Sequence, residues 1–189
     1  MTKILSTRLI YEDWLNLRMA HVRAESGDEF ERHVVEMRPA IAVLPYDPER
    51  RVALTVSMPR APVTLAGLPD MMEAIAGLID EEAERCARRE AMEEAGVRLG
   101  DLVHVGQIWS IPSVVTERID YFLAAYRAQD RIETGGGLPD EQENITVHEP
   151  SLDTLWTMMV RRELTDGKLA ILLMALRLRR PDLFSVPVD

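Results

Sequence analysis

The sequence is poor in cysteine, in positive charge and in long apolar runs. Cys86 is the one cysteine in 189 residues, so no disulfide can form within the chain, and we expect a reducing, cytoplasmic location. No run approaches the roughly 20 apolar residues that span a bilayer, and the N-terminus lacks the apolar stretch of a signal peptide. With 22 basic against 32 acidic side chains the net charge is −10, which argues against nucleic acid as a partner.

The negative charge is concentrated in two short segments. Residues 80–94 hold seven acidic and three basic side chains, and residues 138–149 hold four acidic side chains without lysine or arginine. Each segment carries −4, so together they account for eight of the ten excess charges. Like charges this close destabilise a fold unless something neutralises them. The residues alone leave two interpretations open: a solvated acidic helix and loop, or two segments that meet around cations.

Apolar periodicity and turn residues predict an α/β protein. The segment 8–38 partly alternates and predicts a meander, whereas the two prolines and the glycine of 61–68 predict a loop. Further strands are predicted at 40–47, 50–59, 71–79, 102–109, 119–126 and 145–150. Helices are predicted at 81–95, 151–164 and 168–180, with Gly96 as a C-cap, Ser151 as an N-cap and Asp166–Gly167 as a break. This mixture indicates α/β or α+β layering rather than a helical bundle.

The helix predicted at 81–95 carries the most informative side chains. Glu90, Glu93 and Glu94 lie three and four residues apart, so their carboxylates project from neighbouring turns of one face. Three adjacent carboxylates suit a hard divalent cation such as Mg²⁺ or Mn²⁺. Arg89 is four residues before Glu93 and can pair with carboxylates on other turns. The same spacing also fits a surface helix with intrahelical ion pairs, so this alternative stays open.

The order of residues from Gly77 to Val97 resembles the Nudix box. A glutamate is followed after seven residues by Arg89, Glu90, Ala91, Met92, Glu93, Glu94, Ala95 and Gly96. The chain departs from the family pattern in one respect, because three residues rather than five separate Gly77 from Glu81. The loop that leads into the helix is therefore two residues shorter, and either Glu81 or Glu82 can fill the first glutamate position.

The resemblance extends over most of the chain and points to the nucleotide-sugar branch, the ADP-ribose and GDP-mannose pyrophosphatases. The segments MMEAIAGLID, GGGLPDEQENITVHE and LTDGKLAILLMAL carry it. It implies a Nudix α/β/α sandwich with a mixed sheet and an N-terminal antiparallel β subdomain. Residues 1–37 would form that subdomain and contact the partner of a homodimer, and residues 38–189 would form the hydrolase domain.

The resemblance also implies a role for each site residue. Metal ligands would be the carbonyl of Ala76 and the carboxylates of Glu90, Glu94 and Glu143. Catalytic roles would fall to Glu141 as a base, with Glu93 and Arg89, although which glutamate is the base stays open. Substrate contacts would come from Arg60, Glu73 and Glu117. Ser57 stands where the branch has an arginine, and Ser113 and Val114 replace loop glycines.

The function implied is hydrolysis of the pyrophosphate bond of a nucleotide sugar with Mg²⁺, or alternatively Mn²⁺, as cofactor. A Nudix-fold nucleotide-binding or regulatory protein with little turnover is the main alternative, since the box loop and the 111–117 loop are altered. An acidic structural or interaction protein is a third interpretation. The retained carboxylates favour the enzyme, because a binding module has little need for a full ligand set.

Overall fold

The computed structural model describes residues 1–137 and 144–185, which group into two compact units. The first unit comprises Met1–Ala40 and Gln107–Ile119, and the second comprises Ile41–Gly106 and the chain from Asp120 onward. The first unit thus contains the predicted N-terminal subdomain and a further segment, 107–119, from the predicted hydrolase domain. The division at residue 37 and its role in dimerisation stay predictions.

The first unit contains an antiparallel three-stranded sheet in the order β1-β2-β3. Its strands are β1 (Lys3–Glu12), β2 (Asn16–Arg23) and β3 (Glu29–Glu36). The β2–β3 register is continuous from Asn16 opposite Glu36 to Arg23 opposite Glu29, and Arg18 pairs with Glu36 at 2.8 Å. The first strand starts at Lys3 rather than at residue 8, and all ten of its residues are exposed.

Among the described residues, the second unit holds the α-helices and most of the remaining strand residues, while the end of β8 from residue 107 and the first two residues of β9 belong to the first unit. A five-stranded sheet has the order β5-β4-β9-β8 with β7 paired to β4, and β10 pairs antiparallel with β6. The elements are β4 (Ala40–Asp47), β5 (Val52–Ala53), β6 (Thr55–Ser57), α1 (Ala61–Leu65), β7 (Ile75–Leu78), α2 (Ala83–Ala95), β8 (Leu102–Trp109), β9 (Arg118–Ala125), β10 (Thr146–His148), α3 (Leu152–Val160) and α4 (Gly167–Arg179). Within the described ranges, no helix has the length and apolarity of a membrane span.

Helix α2 packs on the sheet through its small residues. Cys86, Ala87, Ala91 and Ala95 are fully buried and join a core with residues of β4 and β9. The helix ends at Gly96, whose φ of 65° lies in the left-handed region and whose N–H donates to the carbonyl of Met92. Small side chains let the helix backbone approach the strands closely, which fixes the position of its acidic face.

Four local predictions need correction. Residues 61–65 form a short helix, because a proline in the first helical turn removes only an N–H that has no partner inside the helix. The predicted strand 71–79 is regular only over Ile75–Leu78, and the predicted strand 50–59 is divided in two. Helix α2 starts at Ala83, with Glu82 as its N-cap. Ser151 does cap α3, since its hydroxyl accepts from the Thr154 N–H at 3.0 Å.

Candidate active site

Arg89 lies at the centre of a cluster of carboxylates on α2 and the preceding loop. Its guanidinium contacts Glu93 at 3.0 Å and Glu90 at 3.0 Å on the helix. It also contacts Asp80 at 3.2 Å and Glu81 at 3.5 Å on the loop. Burial alone would lower the pKa of Arg89, but Glu90 and Glu93 raise it, so the side chain stays charged. Arg89 therefore ties the loop before α2 to the helix through Asp80 and Glu81.

Glu90 lies against the backbone of Gly77 at the end of β7. A Cβ added at Gly77 would overlap the carboxyl group and Cγ of Glu90, so glycine at this position leaves the space that the end of this side chain occupies. The Glu90 side chain is mostly buried, with 13% of its surface exposed. The contact places a box carboxylate beside the strand that carries Ala76, the residue whose carbonyl was predicted to bind metal.

Glu94 and Cys86 occupy the buried side of the same helix. Glu94 is 3% exposed and belongs to the few buried charged residues of the described chain. Burial and the neighbouring Glu90 raise the pKa of the Cys86 thiol to about 11, so this thiol is neutral near pH 7. A neutral, fully buried thiol packs in the core and does not act as a nucleophile.

The glycine-rich segment 135–137 is bound to the C-terminal end of α2. The N–H of Gly136 donates to the carbonyl of Glu94 at 2.9 Å, and that of Gly137 donates to the carbonyl of Glu93 at 3.1 Å. A Cβ at Gly135 would overlap backbone atoms of Glu94 and Ala95. The predicted site residues Glu141 and Glu143 lie outside the described residues, four and six positions after Gly137.

A second charged cluster joins Arg60, Glu73, Asp166 and Lys168. The Glu73 carboxylate accepts from Arg60 Nε at 2.9 Å and from Lys168 Nζ at 3.2 Å. Asp166 accepts from Lys168 Nζ at 2.9 Å and from the backbone N–H of Ala74 at 3.0 Å. Glu73 and Asp166 are 1% and 4% exposed, whereas the Arg60 side chain is 40% exposed. Buried carboxylates thus hold two cations whose ends approach the surface.

Sequence reasoning brought Arg60 and Glu73 forward but missed Asp166, Lys168 and Asp80. The sequence pattern predicts at Asp166–Gly167 only a break between two helices. An aspartate and a glycine before an apolar run are, however, a helix N-cap signal. Its carboxylate accepts from the backbone N–H groups of Lys168 and Leu169 at the start of α4. Glu117, the third predicted substrate contact, belongs to the first unit, where its carbonyl accepts from the Ser110 N–H.

Comparison with known proteins identifies the family. The profile of the NUDIX domain matches residues 36–164, which include β7, the whole of α2 and Arg89 with its carboxylates. The chain belongs to the Nudix family. Proteins named GDP-mannose pyrophosphatase are similar along most of its length: one from Klebsiella pneumoniae is 30% identical over 92% of this chain and 90% of its own. One from Cronobacter sakazakii is 31% identical over 94% and 95%.

The Nudix fold is also shared with a solved structure. A crystal structure of an ADP compounds hydrolase superposes with a TM-score of 0.78, covers 96% of this chain and 95% of its own, and is 15% identical in sequence. A relative from Salmonella arizonae, also named GDP-mannose pyrophosphatase, is 34% identical over 75% of both chains. The predicted α/β Nudix fold with its N-terminal antiparallel sheet is confirmed.

Nudix hydrolases generally need a divalent metal, and the donor chemistry around α2 fits one. Four carboxylates surround the single guanidinium of Arg89, so negative charge is in excess there, and carboxylate oxygens are the ligands that hard cations prefer. In residues 1–137 and 144–185, no three acidic, histidine or cysteine side chains already form a metal-binding group. Glu143, a predicted ligand, lies beyond these ranges.

Proposed function

We propose that this Nudix protein hydrolyses the pyrophosphate bond of a nucleoside diphosphate sugar to a nucleoside monophosphate and a sugar phosphate. GDP-mannose is the first candidate, since relatives of that name align along nearly the whole chain, and ADP-ribose is the second. The observation that carries the proposal is the box helix itself, in which Glu90 lies on Gly77 and Arg89 gathers Asp80, Glu81 and Glu93.

Ala76, Glu90, Glu94 and Glu143 are the proposed ligands of the cation, which we take to be Mg²⁺, with Mn²⁺ as the alternative. When bound, a divalent cation offsets the negative charge of the diphosphate and acidifies water. Two observations support this set: the Glu90 carboxyl group lies against Gly77 of β7, and Glu94 lies one turn further along α2. The acidic face would repel a diphosphate unless its charge were neutralised.

Among the catalytic residues, Arg89 and Glu93 would act mainly by holding the carboxylates in register. Their 3.0 Å ion pair spans one turn of α2, and the contacts of Arg89 to Asp80 and Glu81 hold the shortened loop. Glu141 is the proposed base that accepts a proton from the attacking water. It is supported by the attachment of Gly136 and Gly137 to α2, because the chain enters the acidic segment from the end of that helix.

The proposed substrate contacts are Arg60 and Glu117, with Glu73 acting through Arg60. Glu73 is 1% exposed and bound to two cations, so we assign it the task of orienting Arg60. The side chain of Arg60 is 40% exposed and can approach an anionic phosphate. For Glu117, support comes only from its place in the loop 111–117 that resembles the branch.

We further propose a cytoplasmic homodimer. The first unit exposes apolar side chains along β1 and its turn, including Ile4 (61% exposed), Ile10 (42%) and Trp14 (77%). Exposed apolar edge strands aggregate or pair unless another surface covers them. A buried, free thiol also suits a reducing compartment.

The test is hydrolysis of GDP-mannose and ADP-ribose with Mg²⁺, with Mn²⁺ and with a chelator. We expect Glu90→Gln and Glu94→Gln to lower kcat by at least about 100-fold, because losing several kcal/mol of charge stabilisation slows turnover by that order. Glu84→Gln is the matched control, since Glu84 is an exposed glutamate in the first turn of the same helix. Unchanged turnover in the two box variants contradicts the proposal.

The same assay separates an enzyme from a nucleotide-binding protein. The loop between Gly77 and Glu81 is two residues shorter than in the family pattern, which is the observation that favours the second candidate. Tight binding of GDP-mannose without release of GMP in the presence of either cation would support a binding or regulatory role. Release of GMP and mannose 1-phosphate in equal amounts would support the hydrolase.

A further inference from the structure

A cavity of about 550 Å³ lies in the second unit, and none of the residues that line it belongs to α2. It is bordered by the end of β6, the segment 63–72 and the connection between α3 and α4. Its volume falls within the range of small-molecule sites. The residues that line it are Ser57, Val63, Leu68, Pro69, Asp70, Met71, Met72, His148, Met158, Glu163, Leu164 and Thr165.

The lining combines apolar side chains with acceptors and hydroxyl groups. Seven of the twelve residues are apolar, and Asp70 and Glu163 add two carboxylates. No lysine or arginine is among these twelve, so the cavity does not suit a phosphate. Phe, Tyr and Trp are also missing from the lining, whereas proteins commonly bind nucleobases by stacking them on such rings. A neutral ring with an apolar face and several hydroxyl donors fits this lining best.

Ser57 and His148 provide a fixed polar pair in the cavity. Their strands are held in register by the antiparallel pairing of β6 and β10, in which Ser57 lies opposite Thr146. Ser57 Oγ and His148 Nε2 are 2.8 Å apart and form a hydrogen bond. Because Ser57 stands where the related branch has an arginine, this chain presents a small neutral group where a long cation would otherwise extend.

The cavity adjoins the cationic cluster of Arg60 and Lys168 along three stretches of chain. Ser57 is three residues before Arg60, Met72 precedes Glu73, and Thr165 precedes Asp166. The hydroxyl of Thr165 donates to Met71 Sδ at 3.7 Å, which joins two sides of the cavity wall. A ligand with a phosphate near Arg60 would thus have its attached group beside the apolar lining.

We propose that this cavity binds the sugar ring of the substrate, an inference that rests on the proposed function. The apolar side chains pack on the C–H face of the ring, Ser57 and His148 contact one hydroxyl, and Asp70 and Glu163 accept hydrogen bonds from others. The two carboxylates repel a sugar that itself carries a carboxylate. The cavity therefore selects neutral hexoses over uronic acids.

The experiment measures binding of mannose 1-phosphate and of GMP by calorimetry, so it does not depend on hydrolysis. Met158→Trp places a large side chain in the cavity, and Val160→Trp is the matched control, because Val160 is 57% exposed on the same helix and is not part of the lining. We expect Met158→Trp to weaken the binding of mannose 1-phosphate at least 10-fold and the binding of GMP less than 2-fold. Val160→Trp should change the binding of neither.

A second set of variants tests the polar groups without filling the cavity. We expect Ser57→Ala to weaken the binding of mannose 1-phosphate about 5-fold, which is consistent with the loss of one hydrogen bond. The parent should bind glucose 1-phosphate at least 10-fold more tightly than glucuronate 1-phosphate, and the double variant Asp70→Asn, Glu163→Gln should narrow that ratio below 3-fold.

Several outcomes overturn the inference. The first is unchanged binding of mannose 1-phosphate to both Met158→Trp and Ser57→Ala. The second is that the variants lose binding of GMP rather than binding of mannose 1-phosphate. The third is that the parent protein does not bind mannose 1-phosphate. A parent that binds both products selectively but releases no GMP from GDP-mannose contradicts only the proposed hydrolysis. The two proposals can therefore fail separately.

Discussion

Gly77 shows how one residue without a side chain makes room for the carboxylate of a proposed metal ligand, Glu90. The resemblance to the Nudix box places a glycine here, but only the structure shows that the Glu90 carboxyl group occupies the space of a Cβ. Arg89 is comparable, since spacing predicted a partner on another turn and the structure shows four carboxylates within 3.5 Å. The first contact joins α2 to β7, and the second joins α2 to the loop before it. Neither can be derived from helical periodicity alone.

Gly77→Ala should displace the Glu90 carboxyl group from its position beside β7. The overlapping atoms are the flexible end of the Glu90 side chain, which can rotate to another rotamer, so we expect the free energy of unfolding to fall by less than about 1 kcal/mol. We also expect kcat with GDP-mannose to fall at least about 10-fold, because Glu90 is a proposed ligand. Gly167→Ala is the control, since no heavy atom lies within 4 Å of a Cβ built there. Equal stability and kcat in the two variants would contradict this role of Gly77.

The N-terminus of α4 illustrates the element scale, because one cap residue also joins two distant parts of the second unit. Asp166 accepts from N–H groups of its own helix and from the N–H of Ala74, 92 residues earlier in the sequence. The sequence predicted three of the helices, α2, α3 and α4, and the caps Gly96 and Ser151, since these depend on residues within about one turn. It missed the link to Ala74, which depends on how the chain folds back.

The charge cluster at this helix start should make stability depend on alkaline pH. Burial alone lowers the pKa of Lys168, but Asp166 and Glu73 outweigh burial and raise it. The folded protein then keeps a proton that the unfolded chain loses above about pH 10.4, so this stabilisation is complete below that pH and declines as pH rises through the folded-state pKa.

Lys168→Met tests this pH dependence, and Lys3→Met is the control because Lys3 is exposed and is the only other lysine. We expect Lys168→Met to lower the free energy of unfolding by about 2 kcal/mol at pH 7, since Glu73 and Asp166 each lose a charged donor. Between pH 10 and 11.5, the free energy of unfolding of Lys168→Met should decline less than that of the parent and of Lys3→Met. Urea unfolding at these pH values measures both effects, and parallel curves for all three proteins would refute the assignment.

For the whole molecule, the exposed first strand is the feature that a second chain would cover. Light scattering should give twice the chain mass for the parent. The double variant Ile4→Asp, Ile10→Asp should shift it to the monomer, because charges on β1 oppose burial in an interface. Leu65→Asp is the control, since Leu65 is 91% exposed on α1 in the other unit. A parent that is monomeric at micromolar concentration would overturn the proposed dimer.

The sequence by itself determined the α/β class, the box helix with its C-cap Gly96, and the carboxylates that we propose as metal ligands. These follow from interactions between residues within a turn of one another and from the spacing of a known motif. Tertiary structure decided which groups meet: Glu90 with Gly77, Glu81 with Arg89, and Asp166 and Lys168 with Ala74 and Glu73, more than 90 residues earlier. Buried charges need partners, and only the packing of distant segments determines which partners are within reach.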